Sequence, residues 1–182
     1  MFVAFIFGAL TVAGRLVEHA PNFTPVGALA LWSGAYLPRR YMLAVPLGVM
    51  LATDWLIGFY NPIVMAAVYL CFALSTLLGS QLRQRISVGP IALSTVAGSL
   101  LFFIFTNFAV WLESDWYSRS LTGLVQCYLL AVPFFRNTLT GDVVFSTAFF
   151  GMTIALPYAR RYVAAVVMNL KLRRDEHSLI TQ

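Results

Sequence analysis

The side chains able to do chemistry are few, and they sort by depth in apolar segments, not by catalytic spacing. Arg15, Asp54, Asn107, Arg136, Asn137 and Asp142 stand in or beside long apolar runs, and Glu18, His19, Asn22, Thr24, Glu113, Asp115 and Arg119 stand in the connections. An ionisable group inside a bilayer is costly, so each one is a functional candidate whose partner has to be named. Arg15 with Asp54, and Arg136 with Asp142, can neutralise one another. Toward a bound molecule, Arg15 and Arg136 suit anionic groups, while Asp54 and Asp142 orient them or accept hydrogen bonds. Aromatics such as Trp111 and Tyr128 suit stacking on a ring. HExxH, GxSxG, Walker A and Cys–His clusters are all missing, and two histidines leave little for metal or general-base work. The expectation is a binding protein and not an enzyme, with no cofactor and no metal.

The stretch FFRNTLTGD, residues 134–142, concentrates aromatics, an Arg, an Asn, two Thr and an Asp. A helix starting at Thr138 or Thr140 would aim its free N–H groups at a ligand there, so the stretch is read as a ligand-contacting cap. Cys71 and Cys127 lie in apolar runs without partners at metal-ligand spacing, and read as small packing residues.

These groups need elements to hold them, and the composition says which kind. The chain has 182 residues, 60% of them hydrophobic and only 10% charged. Soluble domains carry roughly 25% charged residues, so an integral membrane protein of helices is the expected class. Its length permits six or seven spans and no separate ATP-binding domain. The net charge of +5 is assigned to cytoplasmic helix ends and not to nucleic-acid binding.

The apolar runs place spans at Phe2–Val17 (read as a retained first span), Val26–Leu37, Tyr41–Phe59, Pro62–Gly79, Pro90–Leu112 and Thr140–Tyr158. The apolar segment 124–135 rises only about 18 Å and reads as an interfacial or re-entrant helix. With six spans and both termini inside, nine of the twelve basic residues fall on the cytoplasmic side: Arg39, Arg40, Arg83, Arg85, Arg160, Arg161, Lys171, Arg173 and Arg174. Residues 1–159 then form one transmembrane domain and 160–182 a basic cytoplasmic helix or tail that touches anionic lipid, with His177 solvated. Asp54 lies roughly 20 Å along the third span from its inner end, so the polar groups gather in the outer half. That asymmetry predicts a hydrophilic hollow open to the exterior above an apolar base.

The first span carries Ala9-Leu10-Thr11-Val12-Ala13, an AxxxA pattern. It is followed by PNFTPVGALALWSGAYLPRRYMLAVPLGVMLATDWLIG, a Pro-led Gly/Ala-rich helix, a basic turn and a helix with Asp54 near its outer end. In these features the chain resembles the substrate-binding (S) component of energy-coupling factor transporters. It also resembles a family of uncharacterised small bacterial membrane proteins with PNFTPVGALAL, TNFAVWL and PFFRNTLTGD segments. The resemblance implies an S-component-like six-helix bundle in the bacterial inner membrane, with Ala9 and Ala13 facing a coupling protein that supplies ATP hydrolysis. An outer pocket would hold a small molecule, and segment 124–135 would form a lid.

The expected function is capture of a vitamin-like micronutrient for uptake. Its contact set is Arg15, Asn22, Thr24, Asp54, Asn107, Trp111, Tyr128, Arg136, Asn137 and Asp142. The alternative is an accessory subunit packed within a larger membrane complex, its small-residue faces used for packing and its outer charges for internal ion pairs. Membrane lipids and another integral membrane protein are the expected partners in either case.

Overall fold

A computed structural model describes the backbone of residues 2–17 and 20–180, and the side chains of 2–17, 20–159 and 161–162. The expectations on Glu18 and His19, and on the side chains of Arg160, Lys171, Arg173, Arg174 and His177, lie outside that set. Among the described residues the chain is all-helical: α1 (Phe2–Leu16), α2 (Val26–Tyr36), α3 (Arg39–Met42), α4 (Ala44–Ile57), α5 (Pro62–Gln81), a 3-10 turn at Leu82–Gln84, α6 (Val88–Glu113) and α7 (Leu121–Ile180). The chain divides into two compact units, Met1–Phe149 and Phe150–Gln182. The second unit is the remainder of α7.

Four stretches are long and apolar enough to cross a membrane: Arg39–Ile57, Pro62–Gln84, Val88–Glu113 and Leu121–Ala159. Large apolar side chains such as Phe5, Trp55, Val88 and Leu93 stand exposed on the outside. Surface of this kind needs a bilayer and not water, and the protein is an all-α membrane protein. Among the described residues these four do not by themselves establish six spans. The helices α1 and α2 are apolar but have 15 and 11 residues.

The short α2 is short for a structural reason. Val26, Ala28–Ala35 and Leu37 are buried, so α2 is enclosed on every side. It rises only about 16 Å, roughly half the hydrocarbon core. A helix lined by protein needs no lipid-facing length. It packs chiefly on α5, and the contact is backbone to backbone. A Cβ on Gly34 would collide with the Thr76 carbonyl, and one on Gly79 with the Leu31 carbonyl. Only glycine lets two helix axes approach this closely. The C-terminal carbonyls of α2 are held by Arg83, whose Nε donates to Gly34 O at 2.8 Å and whose Nη2 donates to Leu37 O. A cation on the last carbonyls of a helix also complements its dipole.

Elsewhere the termini are set by local chemistry. Asn61 caps α5, its Oδ1 accepting from the backbone N–H of Ile63 at 2.9 Å and Val64 at 3.1 Å, with Pro62 at the first helical position. Arg119 donates to the Trp111 carbonyl at the end of α6, and the Trp111 indole donates to Ser118 O at 3.0 Å, closing the α6–α7 turn. The thiols of Cys71 and Cys127 are buried and free, and donate to the carbonyls of Leu101 and Asn107.

One expectation is corrected outright. Residues 124–135 do not form a separate interfacial or re-entrant helix; they are the first turns of α7, which continues through Pro133 and through FFRNTLTGD. Nor does a helix start at Thr138 or Thr140. Their hydroxyls donate to the carbonyls of Phe134 (3.0 Å) and Arg136 (2.7 Å) one turn back, which satisfies these polar side chains within the helix. The apolar run is short and ends at a polar stretch, so it reads as a separate piece in sequence. Inside membranes such interruptions are absorbed.

The α2–α5 contact makes a direct prediction. Gly79→Ala should lower stability by about 1–3 kcal/mol or more, since backbone and not a side chain must move. Gly48→Ala in α4, where a Cβ meets nothing within 4 Å, should be neutral or slightly stabilising by helix propensity. Denaturant or thermal unfolding of the purified protein in micelles measures both.

Candidate functional site

The first unit encloses a cavity of about 370 Å³. Its polar lining is Arg15, Asn22, Thr24, Tyr60, Ser75, Thr138 and Asp142; its apolar lining is Val26, Met50, Ile57, Val68, Phe72 and Phe102, with Gly27 and Gly98 completing the wall. The helices fix its depth. The Asn61 side chain donates to Glu113 at 3.2 Å, which ties the start of α5 to the end of α6. From that level, Ser75 lies about 20 Å along α5 and Gly98 about 22 Å along α6. These two residues touch, since a Cβ on Gly98 would stand 3.1 Å from Ser75 Oγ. The cavity thus runs from Ile57 and Tyr60 near one end of the bundle to a floor at Ser75, Gly98 and Asp142 roughly midway through it.

The α1–α2 connection reaches that depth as well. Asn22 takes a left-handed backbone (φ 63°), which an Asn tolerates better than most residues. Asn137 donates to Pro21 O at 3.0 Å, and Phe23 rests on Phe145 with ring centroids 5.5 Å apart. The connection is thereby held against α7, and α2 begins at the cavity floor.

Two carboxylates serve the site differently. Asp54 is 1% exposed and forms an ion pair with Arg15 at 2.8 Å. Its other oxygen accepts from the Tyr69 hydroxyl at 2.9 Å. The same guanidinium donates to Thr53 Oγ1 at 2.7 Å and reaches the Met50 sulfur. Arg15 therefore forms part of the cavity wall with its charge balanced from behind. Asp142 is 8% exposed and accepts from Ser99 Oγ at 2.6 Å, and its Oδ1 lies so close to Gly27 that a Cβ there would overlap it. Among the described residues no cation stands at ion-pair distance from Asp142; the ion pair present is Arg15–Asp54. Below Asp142 a pit of about 10 Å³ is lined by Ser75, Ser94, Thr95 and Ser146, and the buried Ser146 hydroxyl has no hydrogen-bond partner. A second cavity of about 190 Å³ shares Asn22, Val68, Phe102 and Thr138 with the first and adds Asn107, Phe134 and Phe135.

Tyr60, in the turn between α4 and α5, has its phenol pushed up to about 12 by partial burial, with the Asp54 carboxylate adding and Arg15 opposing. It enters the wall as a neutral hydroxyl.

Of the contact set expected from sequence, Arg15, Asn22, Thr24 and Asp142 line the main cavity and Asn107 lines its neighbour. Asp54 stands behind the wall as the counter-charge of Arg15. Asn137 pins the α1–α2 connection. These two and three further residues lie off both cavities. Trp111 closes the α6–α7 turn, and Tyr128 donates to Ile104 O at 2.6 Å against the Phe103 ring. Arg136 is exposed. The expected Arg136–Asp142 pair does not form, because Asp142 turns inward to Ser99 and Gly27. Thr138, within the stretch read as a ligand-contacting cap, does line the cavity, whereas sequence reasoning missed Ser75, Phe72 and Phe102 in the wall, and Tyr69 and Ser99 as partners of the two carboxyl groups. Hydroxyls interrupting apolar helices were the available signal for Ser75 and Ser99.

A family model described as a family of unknown function (DUF6580) matches residues 1–166. The chain belongs to this family. No curated protein and no solved structure matches it. For DUF6580, then, this chain offers a cavity with one carboxylate paired to an arginine behind its wall and one buried carboxyl group on its lining with no cation beside it.

The ion pair can be tested apart from any ligand. Asp54→Asn should cost about 3–5 kcal/mol, because it strands a largely buried guanidinium. Arg15→Met with Asp54→Leu should restore most of that loss, as replacing a buried pair by apolar groups is often neutral. Unfolding of the single and double variants in micelles gives the comparison; a double variant as unstable as D54N would contradict mutual neutralisation.

Proposed function

We propose that this DUF6580 member is a membrane-embedded capture subunit for uptake of a small, vitamin-like molecule, with no ATPase of its own. The observation that carries this reading is the cavity. Its volume falls in the range of small-molecule sites, and it combines apolar and aromatic walls with a few convergent polar groups. A protein serving only as packing material would fill such a space, since interiors are close-packed.

Orientation follows from charge. Arg39, Arg40, Arg83 and Arg85 stand at the opposite end of the bundle from Tyr60 and Asn61. By the positive-inside rule the arginine end is cytoplasmic and the cavity opens outward in the bacterial inner membrane, with both termini inside. Ala9 and Ala13 are exposed on α1, where a coupling subunit that hydrolyses ATP can pack closely. Transport then consists of moving the loaded bundle against that partner.

Native mass spectrometry of the protein released from nanodiscs should find a retained small molecule. Asp142→Ala and Ser75→Leu should lose it, while Arg136→Ala, off the cavity, should keep it. Retention of lipid alone in every case would remove the capture reading and favour an accessory subunit of a larger complex. The orientation has its own check: in intact cells, an impermeant thiol reagent should label Asp115→Cys and spare Arg40→Cys.

A further inference from the structure

The two carboxyl groups at the cavity differ in their partners. Arg15 is the cation of the wall, and Asp54 neutralises it at 2.8 Å. Asp142 is the carboxyl group on the lining, and among the described residues it has no cation within ion-pair distance. Ser99 supplies one hydrogen bond to Oδ2, and the start of α2 at Gly27 faces Oδ1. A helix N-terminus is equivalent to roughly half an elementary charge, so it offsets a carboxylate only in part. An anion entering this space would meet a buried acid with no cation beside it and an arginine already engaged. A cation would supply the partner that favours the ionised form of Asp142.

We infer that the cavity takes a small organic cation, an apolar or aromatic body carrying a protonated nitrogen that donates to Asp142. This deepens the proposed capture function and rests on it. The rest of the space fits such a shape. Phe72, Phe102, Val68 and Met50 offer apolar contact to a ring, and aromatic faces add attraction for a positive charge. At the floor, the unpartnered buried Ser146 hydroxyl opens into the pit beneath Asp142. A pit of that size accepts about one water, which can hydrogen-bond to both the carboxylate and Ser146.

The test uses three probes that share an indole body: tryptamine as the cation, tryptophol as the neutral alcohol and indole-3-acetate as the anion. Each is titrated into the full-length protein in nanodiscs, with binding read by thermal shift and by displacement of a fluorescent member of the series. Tryptamine should bind roughly tenfold or more tightly than tryptophol, the size expected of one charge-assisted hydrogen bond. Indole-3-acetate should bind most weakly. Asp142→Asn should bring tryptamine down to the level of tryptophol measured on the same variant, and Ser99→Ala should narrow the gap without closing it. The ranking in the unaltered protein stands by itself if D142N does not fold. Preference for the alcohol or the anion would overturn this inference and leave the capture reading in place. A cation preference that persists in folded D142N would overturn the role of Asp142. Binding of none of the three at millimolar concentration would overturn the inference; with lipid as the sole retained molecule, it would take the capture reading with it.

Discussion

The close approach of α2 to α5 through Gly34 and Gly79 governs where everything else can sit. Because these backbones touch, α2 lies in the centre of the bundle and not on its rim, enclosed by protein on all sides. A helix in that position can begin and end away from the membrane surfaces. Its C-terminal carbonyls are met by Arg83, and its N-terminus is left at the floor of a cavity. Without the glycines, α2 would be pushed outward, the Ala20–Pro25 connection would rise, and the space beneath it would close or fill. The cavity is therefore a consequence of one interhelical distance, set far from its own polar lining.

Charge is distributed around that space with the same economy. Arg15 and Asp54 come from α1 and α4 and meet at the cavity wall, where Tyr69 and Thr53 complete their hydrogen bonds. A pair so fully satisfied can stay buried with little net cost or gain. Its value lies in joining two helices and in presenting a wall without net charge. Asp142 is treated differently, with one serine, a helix start and an open face toward the cavity. The low-dielectric surroundings disfavour a lone charge on the second group, so its ionised form would be stabilised by a complementary charge brought in beside it.

Much of the helical layout was legible because prolines and arginines punctuate it. Pro38-Arg39-Arg40, Asn61-Pro62 and the Arg83–Arg85 turn mark real ends, and the helices between them agree with the apolar runs to within a few residues. The failure at 124–140 has a specific cause. A short apolar run ended by the polar FFRNTLTGD looks like a break, whereas the threonines there turn their hydroxyls back onto the helix and hide their polarity. In the site, Arg15 and Asp54 were legible as a pair because ionisable groups are expensive in apolar segments. Asp142 was recognised but given the wrong partner, since linear proximity favoured Arg136, which the helix carries to the outside. Ser75 and Gly98 were not picked out, because a small residue in an apolar helix signals close packing as readily as an opening.

That ambiguity is resolved by what the small residues face. At Gly34 and Gly79 the missing side chains are replaced by the backbone of another helix, and no space remains. At Gly27 the missing side chain is replaced by a carboxylate, and at Gly98 by a serine hydroxyl, both on the cavity floor. The same residue type thus does two opposite jobs within one bundle: it removes volume where helices must touch, and it admits polar groups where the interior must stay open. An apolar bundle selected for packing alone gains from filling the second kind of position, because each void forfeits dispersion contacts and each buried unpaired hydroxyl costs free energy. The floor at Gly27, Ser75, Gly98 and Ser146 keeps both kinds of cost beside a carboxylate with an open face. That combination is what a binding site requires and a mere packing defect does not explain.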